Sequence, residues 1–340
     1  MSELQEIMAR IEGLNAAGKP MALATIVSTT GSTYRHPGAR MLIPAEGAWL
    51  GNVSGGCLED DVARIGREVM GTGKSRIATF DLTADDDAVW GYGLGCNGSF
   101  EIFVEPTAGA VRTAQLLREN RAGCLVTVLT GPDAGSHRFE ANASHDARPA
   151  IREEDGARVF HEPIQPPMRL IVCGAGHDAI PLVQQAADLR WRVTVADVRR
   201  ALLTHDRFPG ATDFCDADPD RAAEALGTDA RTAVMLMSHN YLRDVAYLRS
   251  LLDAGWAYLG VMGPRGRTEQ MLGEIGRADA LDRLHAPAGL DIGAETPDEV
   301  ARAIIAEILA VTRGHPGGPL RDRRAPIHGE GSPQGDEQRT

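Results

Sequence analysis

The sequence predicts an α/β protein in which an N-terminal α+β domain precedes a C-terminal Rossmann-like domain, a doubly wound parallel sheet. Three observations support this prediction. From Leu170 onward, apolar strand-like runs alternate with helical stretches, as in parallel sheets covered by helices. A glycine-rich turn, GAGHDA at 174–179, follows the first run and opens a helix. The prolines of IQPPMR, at 164–169, separate this alternation from a segment of mixed helices and hairpin-like strands.

Length and composition limit the classes of function. The chain has 340 residues, of which 43% are hydrophobic, so two domains with cores of their own are expected. A net charge of −12 argues against nonspecific binding to nucleic acid or to an anionic membrane. No run approaches the roughly 18 apolar residues of a membrane span, and the first residues lack the apolar core of a signal peptide. The five cysteines have no CxxC spacing, so we expect a reduced, cytoplasmic protein.

The N-terminal domain is expected over residues 1–107. Apolar residues at helical spacing predict a helix over residues 3–17, and a second helix is expected over 58–70. Strands are expected at 22–30, 76–82 and 99–106, with a hairpin over 40–53. Residues 108–166 are expected to form a connecting segment of a helix and strands, in which the polar stretch after CLVTVLTG is either a hairpin or a loop.

The Rossmann-like domain is expected over residues 167–315. Its last helix begins with a capping box, because Thr296 precedes Pro297 and Glu299 stands three residues after it. Residues 316–340 contain almost no apolar side chains that could be buried, so a disordered tail is expected there.

The GAGHDA turn matches the fingerprint of dinucleotide-binding folds. Gly174 permits the tight turn, and Gly176 permits close approach of the backbone to a phosphate. Asp197 follows the next strand, where a carboxylate can accept hydrogen bonds from a ribose, and Arg199 could meet a 2′-phosphate, which leaves NAD and NADP both open. His177 is either a ligand-contacting residue or a helix cap. The alternative for the whole motif is a Rossmann-shaped domain that binds another anion or none.

Two further loops end strands at the same edge of the predicted sheet. His239 belongs to the SHN sequence at 238–240, and Arg265 to the GPRGR sequence at 263–267. Ligands of such sheets bind beyond the carboxyl ends of the strands, so both residues are candidates for a nucleotide or phosphate site. The alternatives are a helix cap at Asn240 and solvated charge at the arginines.

The N-terminal domain contains two glycine-rich loops, each with a cysteine. Cys57 lies in GNVSGGCLEDDV, where a helix N-terminus favours a thiolate while the three following acids, ordinary residues for a first turn, oppose it. Cys96 lies in GYGLGCNGSF. Arg35 and Arg40 add positive charge, so the domain suits an anionic phosphate with a sulfur-seeking centre. The alternative is a buried structural cysteine.

Taken together, these blocks resemble the XdhC/CoxI family, accessory proteins of xanthine dehydrogenase and related molybdenum hydroxylases. The resemblance extends to about Val311. It rests on GSTYRHPGARMLI and the two cysteine loops in the N-terminal half, and on IVCGAGHDAIPLVQQ, MSHNYLRDVAYLRSLL, YLGVMGPRGR and LHAPAGLDIGAETPDEV in the C-terminal half.

The resemblance implies a chaperone, most simply non-catalytic and homodimeric, for the molybdenum cofactor (molybdopterin). It would support sulfuration of the cofactor by a cysteine desulfurase and deliver it to a xanthine dehydrogenase-type hydroxylase. The residues implied for cofactor binding are Cys57 and Cys96 at molybdenum or sulfur, with Ser54, Gly55, Gly56, Arg35 and Arg40. Those implied for a nucleotide or phosphate are Gly174, Gly176, His177, Asp197, Arg199, His239 and Arg265. Two alternatives stay open, an NAD(P)-dependent oxidoreductase and an assembly scaffold that binds no cofactor.

Overall fold

The computed structural model describes residues 3–31, 34–56, 58–81, 98–118, 122–141 and 148–324. The chain divides between Pro166 and Pro167 into two compact units, here called the N-terminal unit and the Rossmann unit. The mixed α/β class and the parallel sheet of the second unit confirm the predicted fold.

The described part of the N-terminal unit contains three helices and nine strands. The helices are α1 (Glu3–Ala16), α2 (Glu59–Thr72) and α3 (Thr107–Arg118). The strands are β1 (Met21–Gly31), β2 (Arg40–Pro44), β3 (Leu50–Gly51), β4 (Arg76–Asp81), β5 (Gly98–Pro106), β6 (Gly123–Val128), β7 (His137–Glu140), β8 (Ala150–Glu154) and β9 (Ala157–Ile164).

The first five strands form an antiparallel sheet in the order β3-β2-β1-β5-β4. Both faces of β1 are covered, because Met21 and Leu23 pack with α1 and α3 while Ala22 and Ala24 pack with α2. A strand buried on both faces needs a continuous apolar run, which is how MALATIV begins this strand.

The segment expected to be a connector forms a second antiparallel sheet in the same unit, in the order β7-β6-β9-β8. The first part of its polar stretch is therefore a hairpin, since β7, which ends at Glu140, pairs with β6. Apolar side chains of the two sheets meet in a small core that contains Val27, Phe103, Leu129 and Phe160.

The Rossmann unit has five parallel strands in the order β12-β11-β10-β13-β14. They are β10 (Arg169–Cys173), β11 (Arg192–Ala196), β12 (Asp213–Cys215), β13 (Thr232–Leu236) and β14 (Tyr258–Val261). The helices are α4 (Ala179–Asp188), α5 (Ala222–Leu226), α6 (Tyr241–Leu251), α7 (Arg265–Glu274) and α8 (Pro297–Thr312).

Helices cover both faces of this sheet. α4 and α8 pack on one face, and α6 and α7 pack on the other. α8 begins with the predicted capping box, in which Thr296 Oγ1 accepts from the Glu299 N–H and the Thr296 N–H donates to the Glu299 carboxylate. Within the predicted tail, Leu320–Asp322 form a 3₁₀ turn, and residues 325–340 lie outside the described residues.

A buried ion pair joins the two sheets of the N-terminal unit. Arg40 begins β2 in the first sheet and is 4% exposed, and its guanidinium donates to both carboxylate oxygens of Glu162 on β9. The Arg40 guanidinium also donates to the Gly38 carbonyl oxygen at 2.8 Å. The pair lines a cavity of about 10 Å³, the size of one water molecule. The positive charge of Arg40 is therefore neutralised inside the fold, which does not support the prediction that Arg40 binds an external anion.

Removing one member of this pair leaves the other charge buried without a partner. We expect Arg40→Met to lower the free energy of unfolding of the N-terminal unit by about 3 kcal/mol, and Arg40→Met combined with Glu162→Leu to recover most of that loss. Urea unfolding of the full chain at pH 7 measures both variants. A single variant as stable as the wild type would show that the pair does not hold the sheets together.

Candidate functional site

The first candidate site is the loop between β3 and α2, which carries the sequence NVSGG. It is organised by the carboxylate of Glu59, the first residue of α2. Glu59 is buried, with 4% of its surface exposed. Glu59 Oε1 accepts from the backbone N–H groups of Ser54 at 2.8 Å and Val53 at 3.3 Å. Glu59 Oε2 accepts from the Ser54 hydroxyl at 2.5 Å and from the Leu58 N–H at 3.2 Å. The loop is thus closed from within by a residue of the chain itself.

Burial alone raises the pKa of Glu59, but the hydrogen bonds from Ser54 and from backbone N–H groups outweigh it, so the pKa lies below 4.5. Glu59 is therefore a charged, structural carboxylate. The prediction that it is an ordinary first-turn acid is wrong.

Ser54, predicted as a residue of the cofactor site, holds the loop together. Its side chain is buried, its hydroxyl donates to Glu59, and its oxygen accepts from the N–H groups of Gly56 and Leu58 at 3.2 Å each. The backbone N–H groups of Val53, Ser54 and Leu58 donate to the Glu59 carboxylate. A phosphate at this loop would meet that negative charge.

The outer surface of the loop is formed by Gly55 and Gly56, which are both exposed. Gly56 has a φ of +109°, a backbone conformation that glycine adopts without steric cost. Tyr34 is 68% exposed, and a Cβ at Gly55 would lie 4.0 Å from its ring. An aromatic ring and bare peptide groups therefore share one surface, here called the Tyr34–Gly55 surface.

Cys57 and Cys96, with their predicted role as ligands of molybdenum, lie outside the described residues. Among the residues that the structure describes, no cluster of three or more His, Cys, Asp or Glu side chains could hold a metal ion. The predicted cation Arg35 is paired with Glu3 of α1.

The second candidate site is the glycine turn between β10 and α4. Gly174 has a φ of +132°, and a Cβ there would overlap the Met237 carbonyl oxygen, so only glycine fits. The N–H of Ala175, the next residue, donates to Asp197 at 2.8 Å. The turn and the end of β11 are thereby fixed to each other.

Asp197 is 2% exposed, and four donors fill its acceptor capacity. Oδ1 accepts from the backbone N–H and the Nε of Arg199, at 2.8 and 2.9 Å. Oδ2 accepts from the Ala175 N–H and from Arg199 Nη2 at 2.6 Å. The structure therefore does not support the predicted contact of Asp197 with a ribose, because its acceptor sites are already filled. Arg199 directs its Nε and Nη2 to this carboxylate, and the predicted contact of Arg199 with a 2′-phosphate stays a prediction.

Burial raises the pKa of Asp197, but the hydrogen bonds from Arg199 and the Ala175 N–H outweigh it and bring the pKa to about 2. This carboxylate is charged at every pH at which the protein is expected to work.

The other residues predicted at this edge of the sheet differ in their contacts. His177 is exposed, and His239 Nε2 lies 2.7 Å from Asp178 Oδ2. Arg265 pairs with Glu269 on its own helix at 2.9 Å. Asn240 caps α6 by accepting from the Arg243 N–H at 3.0 Å, the structural alternative foreseen for it.

One further buried carboxylate, Asp244, organises this edge of the sheet and was not predicted from the sequence. Asp244, 2% exposed, accepts from the Ser238 hydroxyl at 2.6 Å and from Arg267 at 2.6 Å, so it joins the loop after β13 to the first turn of α7. The only signal in the sequence is its place in the first turn of a helix that follows a strand end.

The two units together define a two-domain α/β protein with a cysteine-bearing glycine loop in one unit and a Rossmann turn in the other. Family models match both parts. The XdhC and CoxI family matches residues 14–81, and the XdhC Rossmann domain matches residues 170–308. The chain belongs to the XdhC/CoxI family.

Similar proteins agree with this assignment. A Bacillus subtilis protein, named as a probable subunit of xanthine dehydrogenase, is 31% identical over 309 residues, which is 84% of this chain and 92% of that protein. The Escherichia coli molybdenum cofactor insertion chaperone PaoD is 26% identical over 305 residues, covering 87% of this chain and 84% of PaoD. A crystal structure of a xanthine dehydrogenase from Bacillus halodurans superposes with a TM-score of 0.73 at 28% identity, over 92% of this chain and 98% of that one.

No described helix is long and apolar enough to cross a membrane.

Glu59→Gln replaces one acceptor oxygen with an NH₂ group that faces the loop's own donors. We expect it to lower the free energy of unfolding by about 2 kcal/mol at pH 7. Because the folded pKa lies below the ordinary 4.5, the stabilisation is complete above pH 4.5 and is lost as the pH falls through the folded value. Urea unfolding at pH 7 and at lower pH measures the difference. Asp60→Asn, which changes an exposed acid of the same turn, should have little effect, and equal losses in both variants would contradict the role of Glu59.

The second stability prediction concerns Asp197. Its ordinary pKa of 3.8 falls to about 2 in the folded chain, which corresponds to roughly 2 kcal/mol of stability at neutral pH. That contribution should be complete above about pH 4 and should disappear as the pH falls through 2. Asp197→Asn should therefore destabilise the Rossmann unit at pH 7, whereas Asp213→Asn, at a half-exposed position on β12, should not. A stability difference between Asp197→Asn and the wild type that does not change with pH would rule out this linkage.

Proposed function

We propose that this protein is a chaperone of the molybdenum cofactor that binds the molybdenum–sulfur end of the cofactor at the glycine loop before α2. It supports sulfuration of the bound cofactor and delivers it to a xanthine dehydrogenase-type molybdenum hydroxylase. Membership of the XdhC/CoxI family and the similarity to an insertion chaperone support this proposal.

The observation that carries the proposal is the Glu59-closed loop. Its hydrogen bonds fix the backbone on both sides of Cys57, at Ser54 and at Leu58, without help from a ligand. Gly55 and Gly56 stay exposed directly before the cysteine. A preformed loop that carries a thiol at a helix N-terminus suits a soft metal or sulfur centre.

The charge of the loop indicates which part of the cofactor it contacts. The Glu59 carboxylate occupies the backbone N–H groups of Val53, Ser54 and Leu58, and its negative charge opposes the terminal phosphate of the cofactor there. The Tyr34–Gly55 surface instead offers a flat aromatic face next to peptide groups without side chains. Such a surface suits stacking with the pterin ring. The cofactor would therefore lie with its ring and metal at this loop and its phosphate away from it.

The remaining parts of the proposal concern partners. A cysteine desulfurase would supply the sulfur while the cofactor is bound, and Cys96 would act beside Cys57 as the second thiol. The chaperone would work as a homodimer. NAD(P) is a weaker candidate ligand, because the acceptor sites of Asp197 are already filled by Ala175 and Arg199. For the same reason the oxidoreductase alternative loses support.

The test is cofactor retention. Wild-type protein from a molybdate-supplied host, oxidised and extracted, should release a fluorescent pterin derivative. Cys57→Ala should fold as the wild type does and release at least about tenfold less, because the ligand to the metal or sulfur centre is gone. Cys215→Ala, which removes a half-buried thiol of the Rossmann unit, is the matched control and should retain the wild-type amount.

Two results would contradict the proposal. One is wild-type protein that carries no pterin even after mixing with free cofactor, which would favour a scaffold that assembles the client without touching its cofactor. The other is equal pterin in wild type and Cys57→Ala, which would move the cofactor site away from the glycine loop.

A further inference from the structure

The surface of Gly176, the second glycine of the GAGHDA turn, is covered by side chains of the protein itself. A Cβ at this position would lie 2.5 Å from Asp178 Oδ1 and 3.4 Å from His239 Cδ2. These two side chains are joined by a hydrogen bond of 2.7 Å between His239 Nε2 and Asp178 Oδ2. We call them the Asp178–His239 pair.

Both members of the pair are held in unusual ways. His239 has a φ of +55°, a conformation that costs a residue with a Cβ of order 1 kcal/mol. Asp178 stands at the N-cap position of α4, yet its side chain caps no backbone N–H. Its Oδ1 is buried and has no hydrogen-bond partner among the described residues. The chain thus keeps a strained histidine and an incompletely satisfied carboxylate at the glycine turn.

The pair occupies the position at which a ligand binds in proteins with the dinucleotide fingerprint. In that fingerprint the second glycine lacks a side chain so that a pyrophosphate can approach the backbone. Here the absent Cβ of Gly176 makes room for Asp178 and His239 instead. The space over Gly176 is therefore taken by the chain's own side chains in this structure.

The pair opposes a pyrophosphate in two ways. Its atoms fill the volume over Gly176, and the Asp178 carboxylate adds a like charge at short range. The hydrogen-bond acceptors of Asp197, the usual partner of the ribose, are already satisfied as well. Both halves of a bound dinucleotide would need contacts that this unit has already made internally.

We propose that the Asp178–His239 pair is a specificity-determining gate of the Rossmann unit, which excludes ligands with a pyrophosphate bridge while it is closed. A dinucleotide binds only after the hydrogen bond between Asp178 and His239 breaks and the two side chains leave Gly176. The gate is a property of the Rossmann turn and does not depend on cofactor binding at the glycine loop of the other unit.

The test is calorimetric titration of the full-length protein with NAD⁺ and with ADP. Asp178→Ala removes both the volume and the charge, and should raise the affinity for both ligands about 10- to 100-fold, the range of a lost charge-assisted hydrogen bond. Asp178→Asn keeps the volume and the contact with His239, and should raise affinity by about threefold or less. His239→Gly removes the imidazole and the strain of positive φ together, and should also raise affinity.

Asp188→Ala, at the other end of α4, is the control and should bind as the wild type does. Wild-type protein that binds NAD⁺ as tightly as Asp178→Ala would overturn the proposal. So would equal gains in Asp178→Asn and Asp178→Ala, because charge alone would then explain the effect. If Asp178→Ala is poorly folded, His239→Gly provides the test. An affinity for NAD⁺ and ADP that is unchanged in His239→Gly would then contradict the proposal. Pterin retention by the wild type is measured separately, so failure of the gate leaves the chaperone proposal in place.

Discussion

A buried carboxylate that accepts hydrogen bonds from the chain's own backbone organises each glycine loop described in this protein. Glu59 does this in the N-terminal unit and Asp197 in the Rossmann unit. Successive N–H groups in such loops attract anions, and in many proteins a phosphate satisfies them. Here the anion is built in, so both loops take their shape before any ligand arrives. An external phosphate must compete with a carboxylate that is already in place.

The candidate arginines are also neutralised by carboxylates of the chain itself. Four residues that the sequence marks as candidate anion ligands each pair with a carboxylate of the chain, namely Arg35 with Glu3, Arg40 with Glu162, Arg199 with Asp197 and Arg265 with Glu269. The chain has 47 acidic residues and 35 Lys and Arg residues, so a cation seldom lacks a partner nearby. In a protein of this composition, an arginine beside a glycine loop is weak support for a phosphate site. The stronger sign is a glycine whose missing side chain leaves a surface open, as at Gly55.

Local pattern predicted most of the fold and little of the site. The apolar run of β1, the strand–helix alternation of the Rossmann unit and the capping box at Thr296 are short-range features, so sequence alone reveals them. β8 was missed because an edge strand of five half-exposed or exposed residues lacks a strong apolar pattern. The Arg40–Glu162 pair spans 122 positions, and the hydrogen bond between Asp178 and His239 spans 61. Only the folded chain brings such partners together, and these pairs decide which charges a ligand can meet.

The placement of charge also bears on how a carrier releases its cargo. A clamp of arginines and free backbone N–H groups on a phosphate forms several charge-assisted hydrogen bonds, and breaking them slows dissociation. The Tyr34–Gly55 surface offers stacking without such a clamp, because Glu59 already holds the backbone N–H groups of Val53, Ser54 and Leu58. If the cofactor binds as proposed, through a ring contact and one soft ligand, it can pass to a client site that offers more contacts. An internal carboxylate at the binding loop is thus suited to a protein whose task ends with transfer.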